Sequence, residues 1–335
     1  MLKLFQSIFG AGETPGRYPE SLIEAAVERA VDGTDPRLRT LPRYRRLLRE
    51  PVLHAADHVV ALVDALSPAQ PAGRASYGAD VRLSTLFASA DRMLQVFAGD
   101  PALHDYLAGH ASGSGNAAAL LLVERVEKSV MGMEMDGEVL RREVAQVAVD
   151  FRAHRLVDPT RDEDELRRQL KRRAFDHLLS LALQRIAEVR GERADLARQR
   201  TLLRRKRDAL NKGQWGFDAD VAESMDPQAL QAELDETERQ LAALGTDDRT
   251  LFAHMDIVID ILAHAERQMW AEPVHLHLDR MNVQRGADEA TVRQVDLQEL
   301  HNARGRRLAM LPLVIALDDL PRRDDLLAAA QRVLG

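Results

Sequence analysis

The sequence predicts an α+β fold, mostly α-helical, in which an N-terminal helical unit is followed by two β segments that flank an inserted antiparallel helical hairpin of coiled-coil type. Three patterns predict it. Apolar residues recur at three- and four-residue spacing in the first third, they alternate with polar residues near residues 130 and 274, and leucines recur every seven residues in between.

The first third of the chain is predicted to be helical. Helical periodicity covers residues 20–32, 51–66, 80–98 and 116–130. Stretches rich in glycine, proline and serine separate these segments, as expected of turns. We therefore expect a helical domain over residues 17–129, preceded by an amphipathic segment and linker over residues 1–16.

Two later regions have the two-residue period of β-strands. Met131, Met133 and Met135 alternate with other residues up to Asp136-Gly137, a typical hairpin turn, which predicts a β segment over residues 130–160. A second β segment is predicted at residues 274–279, 292–300 and 308–317. We expect residues 247–335 to contain a helix, this second segment and a C-terminal helix, forming one α+β unit with residues 130–160.

Residues 161–246 are predicted to form a long helix and the helical hairpin. Acidic residues 162–165 favour a helix start, and Val189, Leu196 and Leu203 recur every seven residues. Asp226 before Pro227 is typical of the start of a second helix. The first arm, residues 190–212, carries nine basic and three acidic residues, whereas residues 228–244 carry one basic and four acidic residues. Opposite charges favour arms that fold against each other.

Composition excludes several functional classes. The 335 residues include no cysteine, so disulfides, thiolate catalysis and cysteine-ligated metal centres are excluded. No uncharged apolar run reaches the roughly 18 residues that span a bilayer. The net charge is −7, and the N-terminus lacks the features of an export signal. We therefore expect a cytoplasmic protein.

The N-terminal region is a candidate for peripheral attachment at the inner face of a membrane. Helical geometry would place Leu2, Phe5, Ile8 and Phe9 on one side, where they could enter the headgroup boundary. Six arginines follow between residues 37 and 49, among them Arg43, Arg45 and Arg46, and would attract anionic lipid. The alternative is that the same apolar side chains fill a groove within the protein.

Two histidine pairs have metal-ligand spacing. His275, His277 and Asp279 would share one side of a strand, and a later Asp296 or His301 could complete a metal-dependent active site. We favour a half-buried strand with a polar outer face, because Val274, Leu276 and Leu278 explain the same alternation. His54 and His58 lie one helical turn apart, and a polar helix face is again the favoured interpretation.

Two further features indicate binding. Trp215 and Phe217 fall at the predicted bend of the hairpin, where aromatic side chains can anchor a partner protein or cap the hairpin itself. The basic arm, residues 190–212, could contact nucleic acid, but it lacks interleaved aromatics, so pairing with the acidic arm is favoured.

No motif predicts catalytic residues, a cofactor or a small-molecule substrate. The glycine-rich residues 109–116 lack the Lys-Ser/Thr of a phosphate-binding loop, and no Gly-x-Ser-x-Gly occurs. The function predicted from the sequence is a non-enzymatic interaction scaffold that binds a protein partner, or a second copy of itself, through the hairpin. The alternatives are the metal-dependent enzyme and nucleic-acid association.

Overall fold

A computed structural model describes residues 18–109, 115–136, 139–211, 227–243, 247–286 and 292–321. Within them the chain forms two compact units, and the α+β class is confirmed. The first unit comprises the described residues of 16–56 and 175–265, and the second comprises those of 57–174 and 266–335.

The described helices are α1 (Glu20–Asp32), α2 (Tyr44–Asp64), α3 (Val81–Leu86), α4 (Ala90–Ala98), α5 (Pro101–Gly109), α6 (Glu163–Asn211), α7 (Pro227–Ala243), α8 (Asp247–Ala263) and the short α9 (Ala265–Gln268). Short 3-10 helices span Pro36–Thr40 and Leu317–Asp319. The strands are β1 (Gln70–Ala72), β2 (Asn116–Asp136), β3 (Val139–Thr160), β4 (Met269–Leu278), β5 (Arg293–Asn302) and β6 (Arg307–Ala316).

The first unit is helical. Helix α1 buries Ile23, Ala26, Val27, Ala30 and Val31, which form one stripe of an amphipathic helix. Arg29 donates two hydrogen bonds, of 2.8 and 2.6 Å, to the Asp176 carboxylate on α6. Helix α6 thereby lies against α1 in this unit.

The second unit is built on one sheet in the order β3-β2-β6-β5-β4. Neighbours in this order are antiparallel, and β1 adds to β6 in parallel. The two predicted β segments belong to one sheet, and they are joined through residues 116–123 of β2, which pair with β6 and lie outside the predicted segment. Beyond β4, the chain turns so that Val283 pairs with Ala148 of β3, at the opposite edge of the sheet.

Hydrophobic cores cover both faces of this sheet. One face packs Leu121, Leu297 and Leu311 against the helices α3 to α5, including Phe97. The other face packs Leu120, Leu122 and Met310 against Val63 of α2, Leu66 just after α2, and Leu166 and Leu170 at the start of α6. Residues 117–123 of β2 and strand β6 are thus buried from both sides.

The helix predicted over residues 116–130 is wrong, because these residues begin strand β2. Ala117, Ala119 and Leu121 enter one core, whereas Ala118, Leu120 and Leu122 enter the other. A strand buried on both faces has no polar residues to mark its two-residue period, so its sequence resembles an apolar helix segment.

The helix predicted over residues 80–98 is two helices. Helix α3 ends at Leu86, and α4 begins after Ser89, whose side chain accepts a hydrogen bond of 3.1 Å from the Arg92 N–H. Ser89 is an N-cap, which begins a new helix by satisfying a free backbone N–H.

Other elements agree with the sequence prediction. Helix α1 has the predicted bounds, α6 begins at Glu163 after the cap of Asp162, and α7 begins at Pro227. Strands β2 and β3 end and start on either side of the predicted turn at Asp136-Gly137.

Strand β3 contains three bulges. At each, β3 has one residue more than β2 between paired positions, and the extra residue is Glu143, Ala153 or Asp158. These three residues have positive φ angles of 60°, 51° and 49°, which is unusual for residues other than glycine. Side chains of β3 alternate between the two faces of the sheet, and each bulge shifts this alternation by one residue. Consequently Phe151, before the bulge at Ala153, and Leu156, after it, both enter the same core.

Candidate functional site

The structure does not gather the predicted metal ligands into one site. His275 and His277 lie on β4, and the His275 Nδ1 is 2.7 Å from an Asp296 carboxylate oxygen across the β4–β5 pair. The Asp279 carboxylate instead accepts backbone N–H hydrogen bonds of 2.8 Å from Met281 and 3.0 Å from Val283, which shape the turn after β4. Among the described residues, no group of three histidine or acidic side chains could hold a metal ion.

The other histidines named by the sequence have separate surroundings. The ring of His301 stacks on Trp270 at a centroid distance of 5.5 Å. His58 donates from Nε2 to the Met269 carbonyl oxygen at 2.7 Å, while His54 is exposed on α2. A backbone contact therefore accounts for His58, whereas the buried Nε2 of His301 lies 3.7 Å from Glu272 and 3.8 Å from Glu299 without a hydrogen-bond partner among the described residues.

Several of the arginines between residues 37 and 49 form ion pairs within the first unit. Arg39 contacts Glu28 at 3.0 Å and Asp32 at 2.7 Å, and Arg45 contacts Glu28 at 3.0 Å. Arg49 pairs with Glu20, and Arg37 pairs with Asp35. Arg43 and Arg46 are exposed and pair with no described carboxylate. The positive charge available to an anionic surface is therefore smaller than the sequence suggests.

Six of the predicted contact residues fall outside the described part of the chain: Leu2, Phe5, Ile8, Phe9, Trp215 and Phe217. Their predicted roles remain predictions.

Contacts between α6 and α7 are partly apolar and partly ionic. Leu203 of α6 forms a buried cluster with Leu230 and Leu234 of α7. Beside this cluster, Arg204 donates from Nε to Glu238 at 3.1 Å. Acidic α7 therefore neutralises part of the basic charge on α6.

A stripe on α6 is left exposed beside these contacts. Arg198, Thr201, Leu202 and Arg205 follow the spacing of one helix face and, with Ala197, line a shallow cavity of about 400 Å³. Leu202 is 53% exposed, whereas the adjacent Leu203 is 3% exposed. An apolar side chain between two arginines is thus available at the surface.

A buried polar cluster connects three elements of the first unit. The Asp35 carboxylate accepts hydrogen bonds from Arg37 in the 3-10 helix, from Arg190 on α6 and from Nδ1 of His254 on α8, the last at 2.9 Å. Burial opposes ionisation of Asp35, but these donors outweigh it and hold its pKa well below the ordinary value.

His254 is fully buried within that cluster. Burial is the main cause that lowers the pKa of its ring, and the hydrogen bond to Asp35 only partly offsets it. The ring is therefore neutral near pH 7, with its proton on Nδ1, and its buried Nε2 has no described partner. The cluster holds the helices in position. The oxygens of the Asp35 carboxylate already accept hydrogen bonds from the groups named above.

A cavity of about 560 Å³ lies in the second unit. Residues from α3 and α4, the middle of β3 and the turn after β4 line it. Its apolar wall includes Leu86, Phe87 and Phe151, and Arg92 and Arg280 bring two guanidinium groups to it. The volume is within the range of roughly 300–1,000 Å³ that is typical of small-molecule sites.

His154 lines the same cavity because of the bulge at Ala153, which places residue 154 on the core side of β3. Its Nε2 is 2.8 Å from the Leu86 carbonyl oxygen, and its ring packs on Phe87 at a centroid distance of 4.6 Å. A carbonyl only accepts hydrogen bonds, so Nε2 carries the proton. Burial, reinforced by the charge of Arg92, lowers the pKa of His154 and keeps the ring neutral at pH 7.

Sequence reasoning missed both the cavity and the Asp35 cluster. Asp35 and His254 are 219 positions apart, and no local pattern relates them. The sequence pattern does not predict the position of His154 either, because the bulge at Ala153 determines which face of the strand its side chain lies on. Only Ser89, a recognisable N-cap, could have indicated the helix start that brings Arg92 to the cavity.

The comparisons with known proteins give no relative for this arrangement. No protein-family model matches the chain, and neither a curated protein nor a solved structure matches it significantly. No helix in the described residues is both long enough and apolar enough to cross a membrane.

Proposed function

We propose that this protein is a non-enzymatic, cytoplasmic interaction scaffold that binds a protein partner through a helical hairpin formed by α6 with α7 and α8. The observation that carries the proposal is the exposed apolar side chain of Leu202, which lies between Arg198 and Arg205 on the face of α6 that α7 leaves uncovered. The inserted hairpin would present this face to the partner.

The order of contacts along α6 supports the hairpin. Arg190 approaches His254, Arg193 contacts Thr250, and Arg204 contacts Glu238. The partner positions decrease as the position on α6 increases, as expected of antiparallel neighbours. The Leu203 cluster adds the apolar seam that such a pair requires.

The chemistry of the exposed stripe indicates the class of partner. Arg198 pairs locally with Asp195, whereas Arg205 and the adjacent Lys206 pair with no described carboxylate. A partner helix with an apolar stripe bordered by acidic residues would bury Leu202 and neutralise these cations. A second copy of this chain could supply such a helix, because α7 is acidic.

Photo-crosslinking tests this surface. A benzophenone amino acid would replace Leu202 in the full chain, within cells that produce the protein. The matched control is Leu183, another leucine of α6 that is 43% exposed. We expect one discrete adduct from position 202, lost when Arg198 and Arg205 are both changed to glutamate, and none from position 183.

The outcome also distinguishes the partner. An adduct of twice the chain mass identifies a second copy, and another mass identifies a different protein. Failure to crosslink from position 202, or equal adducts from both positions, would refute the proposed surface.

Peripheral attachment through Leu2, Phe5, Ile8 and Phe9 is part of the same proposal. The residual support within the described residues is the pair of exposed, unpaired arginines, Arg43 and Arg46. The full chain should sediment with vesicles of anionic phospholipid, and a version lacking residues 1–10 should not. Equal sedimentation of the two would remove attachment from the proposal.

The two alternative functions receive less support. The metal-dependent enzyme lacks a described ligand group, since Asp279 is engaged in its own turn. Nucleic-acid binding by the basic arm would require arginines that instead pair internally, as Arg190 does with Asp35 and Arg204 does with Glu238.

A further inference from the structure

The cavity in the second unit has two guanidinium groups without a carboxylate to neutralise them. Arg92 and Arg280 both line the cavity, and both are exposed. Neither forms an ion pair with any described residue. Their two positive charges are therefore available to a ligand.

Among the described residues, a single carboxylate lines the cavity, and it is already engaged. Asp150 accepts a hydrogen bond of 2.6 Å from Arg152 and one of 3.3 Å from Lys128. Partial burial opposes its ionisation, but these two cations outweigh it and lower its pKa. Asp150 thus stays charged and paired, and the excess charge facing the cavity is positive.

Part of the cavity wall is apolar and belongs to the packed core. Phe87 is 3% exposed, its ring packs edge-on against Phe97 at 5.6 Å, and its carbonyl accepts a hydrogen bond of 2.8 Å from the Tyr77 hydroxyl. Phe151 is 8% exposed and belongs to the same core. Such a wall favours the apolar or aromatic part of a ligand.

His154 supplies a hydrogen-bond acceptor among the residues that line the cavity. Because its Nε2–H is committed to the Leu86 carbonyl, Nδ1 holds the lone pair in the neutral ring. No described residue donates to Nδ1. A hydroxyl or N–H group of a ligand could therefore donate to it.

We propose that this cavity binds a small carboxylic acid with an apolar or aromatic body. Arg92 and Arg280 hold the carboxylate, Phe87 and Phe151 contact the body, and His154 Nδ1 accepts from a donor group where the ligand has one. This site is independent of the helical hairpin and goes beyond the scaffold function.

Three probes separate these contributions in titration calorimetry with the full chain. Naphthalene-2-carboxylate carries both charge and body, 2-naphthalenemethanol carries the body without charge, and inorganic phosphate carries charge without the body. We expect the carboxylate to bind at least tenfold more tightly than either of the other two. The combined Arg92→Gln and Arg280→Gln variant should weaken its binding at least tenfold.

The control variant is Arg304→Gln, which removes an exposed arginine of the same unit that does not line the cavity. It should bind the carboxylate as the unchanged protein does. Absence of carboxylate binding, equal binding of the alcohol, equal binding of phosphate, or equal effects of the two sets of substitutions would each overturn the proposal. Because both cavity arginines are exposed, their replacement should leave the fold intact, which circular dichroism would verify.

Discussion

Replacing Ala153 with glycine should stabilise the second unit, although glycine usually weakens a strand. Ala153 is the extra residue of a bulge and has a φ of 51°, in the left-handed region. That conformation costs an L-residue about 1–2 kcal/mol. Glycine avoids this cost but loses about 0.5–1 kcal/mol more through the entropy of the unfolded chain. The net expectation is a gain of about 0.5–1 kcal/mol.

Ala145 provides the matched control, because it is also an exposed alanine of β3 and has ordinary strand geometry. Ala145→Gly should therefore destabilise by about 0.5–1 kcal/mol. Urea denaturation would measure both variants in a Trp215→Phe background, so that Trp270 on β4 is the single tryptophan reporter of the second unit. If Ala153→Gly destabilised as much as Ala145→Gly, the left-handed bulge would not be present.

Three further predictions concern buried residues. Asp35→Asn should lower the free energy of unfolding at pH 7 by about 2–3 kcal/mol, since Arg37, Arg190 and the buried His254 would lose a charged acceptor. Because the folded-state pKa of Asp35 is lowered, its contribution is complete above a pH of about 4 and is lost progressively as the pH falls from there toward the folded-state pKa, so the difference in urea titrations between the variant and the unchanged protein should shrink below that pH. The pKa of His254 is also lowered, so the unfolded chain binds a proton below pH of about 6.5 that the folded chain does not, and stability should decline there. His254→Asn should reduce this decline in pH-dependent urea titrations, and an unchanged slope would contradict the assignment. Leu121→Ala should cost about 2–5 kcal/mol, because Leu121 is fully buried between strand and helices, and a loss below 1 kcal/mol in the same assay would argue against that core.

The fold could be predicted from sequence where one face of an element is polar. Helix α1 shows this case, since its apolar stripe predicts both its type and its bounds. Residues 117–123 show the opposite case, because both faces of β2 are buried there and no polar residue marks the two-residue period of the strand. Apolar residues at three- and four-residue spacing therefore predicted a helix over residues 116–130, incorrectly, because spacing within an apolar run does not distinguish a buried strand from a helix.

The candidate sites were less predictable than the fold. The bulges of β3 have no glycine to mark them, so the direction of His154 could not be read from alternation. The arginines of α6 show a related limit. The sequence gives their charge, but it does not show which of them form ion pairs and which, such as Arg205, pair with no described carboxylate. Partner choice depends on distances between residues far apart in the chain.

The bulges of β3 also affect how separate molecules meet. Strands β2 and β3 run on to the turn with Met131 and Met133 exposed by 73% and 61%, a composition that would favour edge-to-edge growth into fibres. Stacking of copies requires an even row of amide and carbonyl groups, and the extra residue at Glu143 breaks that row near the tip. The bulge at Ala153 directs a histidine toward the core. The similar bulge at Glu143 would discourage aggregation at high protein concentration.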